Sequence, residues 1–145
     1  MRASVAALFV LGAATGALAS PTTSGTATVT YSTAYDVGST SLNTVACSNG
    51  ANGLVTKGFT TLDSLPSFPY VGGVNGIVWN SPLCGTCWKL NYNGKSIVIQ
   101  GIDASPGQGF NIAKQAMQDL TDGAGIFSGS VQVTYSQTDC PTTSD

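Results

Sequence analysis

The chain contains no histidine and no glutamate, and only 8% of its residues are charged. Without an imidazole, no His-based acid–base or nucleophile-activating machinery can operate, and mixed cysteine/histidine zinc sites are excluded. The only arginine is Arg2, and the remaining basic residues are Lys57, Lys89, Lys95 and Lys114. From Ser20 onward these four lysines stand against seven aspartates, four minus seven, a net charge of −3. Such a surface offers no basic footprint for nucleic acid and no polybasic patch for anionic lipid, so neither nucleic acid nor membrane is an expected partner. A neutral polymer such as a polysaccharide fits better. No run of the chain beyond its first residues approaches membrane-spanning length.

What is present begins with a basic head, Met1 and Arg2, then an apolar stretch from Ala3 to Thr15, then the A-x-A sequence Ala17-Leu18-Ala19. This predicts a secretory signal peptide over residues 1–19, with a mature start near Ser20 and a secreted, extracellular product. A Ser/Thr/Pro-rich leader over 20–25 and a similar tail over 141–145 flank one predicted domain over 26–140. A chain of this size can bury a core of its own.

Four cysteines occur, at Cys47, Cys84, Cys87 and Cys140. The C-x-x-C of "CGTC" suits a redox pair, half of a metal site, or anchors for disulfides. A cysteine-only zinc ribbon needs a second such pair, which is missing. In an oxidising compartment four cysteines predict two disulfides, with no metal and no cofactor.

Alternation in "TATVTYS" (Thr26 to Ser32) predicts a half-buried strand, and "SVQVTYSQ" (Ser130 to Gln137) predicts another. Asn93-Gly94 lies between two apolar runs and predicts a type I′ hairpin. A short strand is expected around Trp79 in "NGIVWN", and a short turn at "TLDSLP". The one strong helical pattern is "FNIAKQAMQDLTDG", with Asn111 as its cap, Ile112, Ala116, Met117 and Leu120 on its apolar face, and Asp122-Gly123 at its end. Short strands, many glycines and one helix suggest a compact β-barrel.

Three stretches are more specific: "CSNGANGL" from Cys47, "FPYVGGVNGIVWNSPLCGTCWKL" from Phe68, and "IDASPGQGFNI" from Ile102. With them the chain resembles the cerato-platanin family of small secreted fungal proteins, from about Tyr31 to Cys140. The resemblance implies a mainly β fold, a six-stranded double-ψ β-barrel with one or two short helices and two disulfides, similar to the first domain of expansins. It also implies the pairings Cys47 to Cys84 and Cys87 to Cys140.

Glycoside hydrolysis ordinarily needs two carboxyl groups at a set separation. Asp63 reads as a turn residue, and Asp119 and Asp122 as residues on or after a helix surface. Asp103 ends an apolar run and opens a glycine-rich loop, which suits either a ligand groove or a self-bonded turn. The resemblance matches Asp103 to an aspartate shared with expansins and related endoglucanases, while cerato-platanins are regarded as lacking the working pair. Asp36 is the other carboxylate considered, and no sequence feature places it near the groove. The expectation is therefore a protein that is not an enzyme.

Binding needs only hydrogen-bonding groups and an aromatic face. Ser48, Asn49 and Gly50 offer either a ligand loop or an ordinary turn, Gln108 and Asn111 lie beyond Asp103, and Tyr31 and Tyr35 could flank a groove. Trp79 and Trp88, beside the cysteines, read as core. The resemblance implies binding of N-acetylglucosamine (chitin) oligomers or other cell-wall glucans near Ser48 to Gly50 and Asp103 to Asn111, with expansin-like loosening, cell-wall association and perception by a host receptor as an elicitor. A surface-active coat protein that self-assembles at interfaces is the alternative, and a weak glycoside hydrolase the less favoured third.

Overall fold

The computed structural model describes residues 23–107 and 109–142. The predicted signal peptide, the leader up to residue 22, Gln108 and residues 143–145 lie outside the described residues.

Alternation along the first strand, β1 (Ser24–Ser32), turns Ala27, Val29 and Tyr31 toward the core, with Val29 fully buried. The strand begins two residues before the predicted start. Ser24 and Gly25 pair with Ser136 and Tyr135 of the last strand, so these two leader residues belong to the sheet. A β-carbon on Gly25 would come within 3.2 Å of the Tyr135 hydroxyl, so the absence of a side chain there lets the tyrosine lie close.

The second strand, β2 (Val71–Val74), reads "VGGV" and sits just upstream of the predicted segment around Trp79. Its glycines are steric necessities. A β-carbon on Gly72 would lie 2.3 Å from the Asn111 carbonyl oxygen, and one on Gly73 only 2.4 Å from that of Ala104. The predicted strand at "NGIVWN" does not form. Gly76 and Asn80 take left-handed backbone angles, and Val78 and Trp79 are both exposed in succession, which a half-buried strand does not allow.

Strands β3 (Cys87–Tyr92) and β4 (Lys95–Ala104) form the predicted hairpin, with φ of 46° at Asn93 and 80° at Gly94. Positive φ at both central positions is the type I′ requirement. Strand β5 (Phe110–Ala113) occupies what the sequence suggested was the first turn of the helix. Helix α1 runs Lys114–Thr121 and α2 runs Ala124–Ser128, before β6 (Ser130–Thr138) completes the order.

Asn111 therefore does not cap the helix. Asp36, in a 3-10 turn after β1, does so from 78 residues away: its two carboxylate oxygens accept from the Lys114 and Gln115 amides at 2.8 and 2.9 Å. Ala116, Met117 and Leu120 form the buried face of α1 as expected, and Asp122, at φ 51°, ends it. The expected turn at "TLDSLP" is a 3-10 turn over Leu62–Ser64.

The sheet closes as a barrel in the order β1-β5-β2-β4-β3-β6. The β1–β5 and β2–β4 pairs are parallel and the other four antiparallel. This closed six-stranded mixed barrel leaves no full-length free edge. The bridges are Cys47–Cys84 and Cys87–Cys140, the pairing that the resemblance implied.

Candidate functional site

Asp103 stands one residue from the end of β4. The buried Ile102 before it points inward, which turns Asp103 to the outer face of the sheet. Three donors converge on its carboxylate. The Ala46 and Ala104 amides donate to Oδ1, each at 2.9 Å, and the Tyr35 hydroxyl donates to Oδ2 at 2.9 Å. An ionised carboxylate can accept about four hydrogen bonds, so Oδ2 keeps capacity for a ligand hydroxyl. Burial, then the charge of Asp103 and the hydrogen bond to it, push the Tyr35 phenol well above its ordinary range. Tyr35 is thus held as a protonated donor.

The strand register extends this site sideways. Asp103 pairs with Gly73, Gly73 with Asn111, and Asn111 with Thr30, across four adjacent strands. Paired residues share a sheet face, so Asp103 and Asn111 lie on one face, two strands or roughly 9–10 Å apart. Gly73 contributes no side chain between them. The Asn111 Oδ1 atom is buried and, among the described residues, accepts no hydrogen bond.

The segment before Ser48 is tied to the same place. The Cys47 amide donates to the Ile102 carbonyl at 3.0 Å, beside the Ala46 contact to Asp103. Beyond it the loop is clasped to the segment around Trp79. The Trp79 indole donates to Asn49 Oδ1 at 2.7 Å, and the Asn52 amide donates to Asn80 Oδ1 at 3.0 Å. Gly50 has φ of 85°, and a β-carbon there would lie 2.7 Å from Asn80 Oδ1, so glycine is required. The Cys47–Cys84 bridge locks the base of both segments.

The structure thus brings together Asp103, Tyr35 and the start of the Ser48–Gly50 loop, with Asn111 on the same sheet face. Tyr31 is elsewhere: it packs against the core, and its hydroxyl donates to the Ile126 carbonyl at 3.3 Å. Gln108 lies outside the described residues. Asp36 spends both carboxylate oxygens on α1. Asp119 accepts from Tyr70 at 2.5 Å and from Gln115 at 2.9 Å, and Asp122 pairs with Lys95 at 2.7 Å on the surface. The partners of Asp103 are a phenol and two amides.

Residues 27–144 match the cerato-platanin family model. The chain belongs to the cerato-platanin family. It is 47% identical over 143 residues to Allergen Asp f 15 of Aspergillus fumigatus, covering 94% of this chain and 90% of that protein. The crystal structure of cerato-platanin 3 from M. perniciosa superimposes with a TM-score of 0.75 at 42% identity, covering 79% of this chain and 95% of that one. An expansin from Clavibacter michiganensis, in a mutant form solved with cellohexaose, gives a TM-score of 0.58 at 14% identity, covering 83% of this chain and 53% of that one. That last likeness is one of fold alone.

In this cerato-platanin barrel, sequence reasoning missed Trp79. Its place beside the cysteines suggests core, as for Trp88, but Trp79 is 59% exposed while Trp88 is 4% exposed. The signal available was the turn residue Asn80 and the Pro two positions beyond it, which disfavour a packed strand. The indole face beside Asn49 is an aromatic surface of the kind the site otherwise lacked.

Proposed function

We propose that this protein is a secreted, non-catalytic carbohydrate-binding protein that takes N-acetylglucosamine oligomers, or other cell-wall glucans, on the face around Asp103. Asp103 with Tyr35 accepts and orients sugar hydroxyls, Asn111 lies on the same sheet face with its Oδ1 buried beneath it, and Ser48, Asn49 and Gly50 form the flanking loop. The observation that carries this reading is the Asp103 carboxylate, held by three donors yet short of its full hydrogen-bonding capacity. A neutral polymer matches that chemistry. The cellohexaose complex of the expansin supports a glycan ligand by analogy of fold. Tyr31, packed against the core, has no part in this face.

Hydrolysis would need a second carboxyl group opposite Asp103. Asp36 is committed to helix capping, which favours a protein that competes for hydrogen bonds between polymer chains and loosens them without cutting. Secretion follows from the leader sequence together with two disulfides. Wall association follows from glycan binding, and perception as an elicitor requires that the protein reach a host receptor.

The test is an NMR titration of the isotope-labelled mature protein with an N-acetylglucosamine tetramer, followed by chromatography of the same sample. Shifts clustered at residues 48–50, 103 and 111 with an intact oligomer are expected. Shortened sugars that vanish in Asp103→Asn would instead establish a hydrolase.

A second reading has its own observation. Phe127 in α2 is 97% exposed, and Val37, Val78 and Trp79 are also exposed. Such residues suit a surface-active coat protein. Film formation at an air–water interface that survives Asp103→Asn and is lost in Phe127→Ser, with no sugar binding by the parent protein, would favour this reading.

A further inference from the structure

A cleft of ≈ 910 Å³ contains none of the residues assigned to glycan binding. It arises from unequal strand lengths. Strand β1 pairs with β6 from Ser24 onward but with β5 only from Val29, so Ser24 to Thr28 have a sheet neighbour on one side only. Opposite this open side, β2 stops at Val74 and the chain turns away through Asn75 and Gly76. Gly109 closes one end, where a β-carbon would sit 2.1 Å from the Thr28 carbonyl oxygen.

The floor is aromatic. Trp88, Phe110 and Tyr135 contact one another edge-to-face, with ring centroids 5.3 to 5.9 Å apart. Val74, Val78 and Leu83 line the walls, and Val78 is 64% exposed at the mouth. No lysine or aspartate lines the cleft. A charged ligand would lose its hydration there without gaining a partner. Besides Tyr135 the polar lining is Thr26, Thr28, Asn75, Ser81 and Gln132. Gln132 donates to Thr28 at the rim and Ser81 accepts from the Leu83 amide, while the Tyr135 hydroxyl beside the aromatic floor forms no hydrogen bond among the described residues.

We propose that this cleft is a second binding site, for an uncharged, ring-containing apolar molecule carrying a single hydroxyl, of the sterol or terpenoid-alcohol kind, with Tyr135 as its polar anchor. The volume is that of a small-molecule pocket. An aromatic floor with polar groups confined to the rim and walls and no charge beside it fits such a molecule better than a sugar, whose hydroxyls over the rings would go unpaired. The aromatic floor belongs to the barrel interior, because Val74 and Phe110 point inward where their neighbours Gly73 and Asn111 face outward, while Thr26, Thr28 and Gln132 form the outer rim. It is therefore independent of the proposed glycan face.

The test uses the intact, disulfide-bonded protein and the uncharged dye N-phenyl-1-naphthylamine, with cholesterol supplied from cyclodextrin as competitor. Expected are saturable one-to-one dye binding with a blue shift, and displacement of the dye by cholesterol. Val78→Lys, at an exposed position that leaves the melting temperature intact, should weaken dye binding at least tenfold. Asp103→Asn should leave it unchanged. Tyr135→Phe should retain the dye but weaken displacement by cholesterol several-fold. Absence of saturable binding, equal affinity in Val78→Lys, or displacement by an N-acetylglucosamine tetramer in place of cholesterol would each overturn the proposal. Unaltered cholesterol displacement in Tyr135→Phe would overturn the assignment of the anchor.

Discussion

Tyr35 donates its hydroxyl hydrogen to Asp103 across 2.9 Å and 68 residues of sequence. The bond joins the turn after β1 to the end of β4 and sets which side of the carboxylate stays open. Asp103 is thereby oriented by the fold, independently of any ligand. Replacing Tyr35 by Phe should keep the ring packing, cost about 1–2 kcal/mol as a charge-assisted bond is lost, and weaken oligomer binding several-fold. Chemical denaturation and calorimetric titration of the same variant check both effects. Weakened binding with unchanged stability would point to direct sugar contact by the hydroxyl.

Alkaline pH should act on the same pair. The Tyr35 phenol is raised by burial and by Asp103, and Tyr70 is pushed up to about 12, first by its hydrogen bond to Asp119. A phenol whose folded pKa exceeds its unfolded value near 10 keeps its proton longer in the native state. Its stabilising contribution is therefore complete below about pH 10 and declines as pH rises toward the folded value. Melting temperatures between pH 9 and 12 should fall, and less steeply in the Tyr35→Phe, Tyr70→Phe double variant. Equal slopes would contradict the assignment.

The cap on α1 can be tested apart from binding. Asp36→Ala leaves the Lys114 and Gln115 amides without their acceptor and removes a negative charge from the helix start. A loss of about 1–2 kcal/mol is expected, with oligomer affinity unaffected. Loss of affinity at full stability would instead bring Asp36 into the binding site.

Reduction should be more costly than any of these substitutions. The two bridges close separations of 37 and 53 residues, and each contributes about 2–4 kcal/mol by the chain-entropy argument. Verified reduction should lower the melting temperature by at least about 10 °C for a domain of this size. An unchanged thermal scan would show that the barrel holds without them.

Much of the barrel could be read directly from residue patterns. β1 and β6 show because their inward residues alternate with polar ones, and the Asn93-Gly94 hairpin because a turn pair suited to positive φ sits between two apolar runs. β2 does not, because "VGGV" has glycine at both of its central positions, one on each face of the sheet, and so shows no alternation. The need for those glycines lies in the backbone of Asn111 and Ala104, distant in sequence. The helix start was misplaced for a similar reason: Asn111 is a good local cap, but Phe110–Ala113 are recruited into β5 and a remote aspartate caps instead. Asp103 could be singled out as a strand-end carboxylate in a resembling motif. Its tyrosine partner, and the exposure of Trp79, depend on tertiary contacts that local pattern does not encode.

The "CGTC" segment has a mechanical consequence. Cys84 fastens the Ser48–Gly50 loop, while Cys87 receives Cys140, which lies just past the end of β6. Tension on the C-terminal tail therefore passes through sulfur to the start of β3 before it reaches the last strand. The bridge thus pins the C-terminal end of β6 to its neighbour β3, and β6 cannot be peeled from that end. A protein anchored by its tail and bound to a moving polymer would transmit force through the barrel without unzipping it.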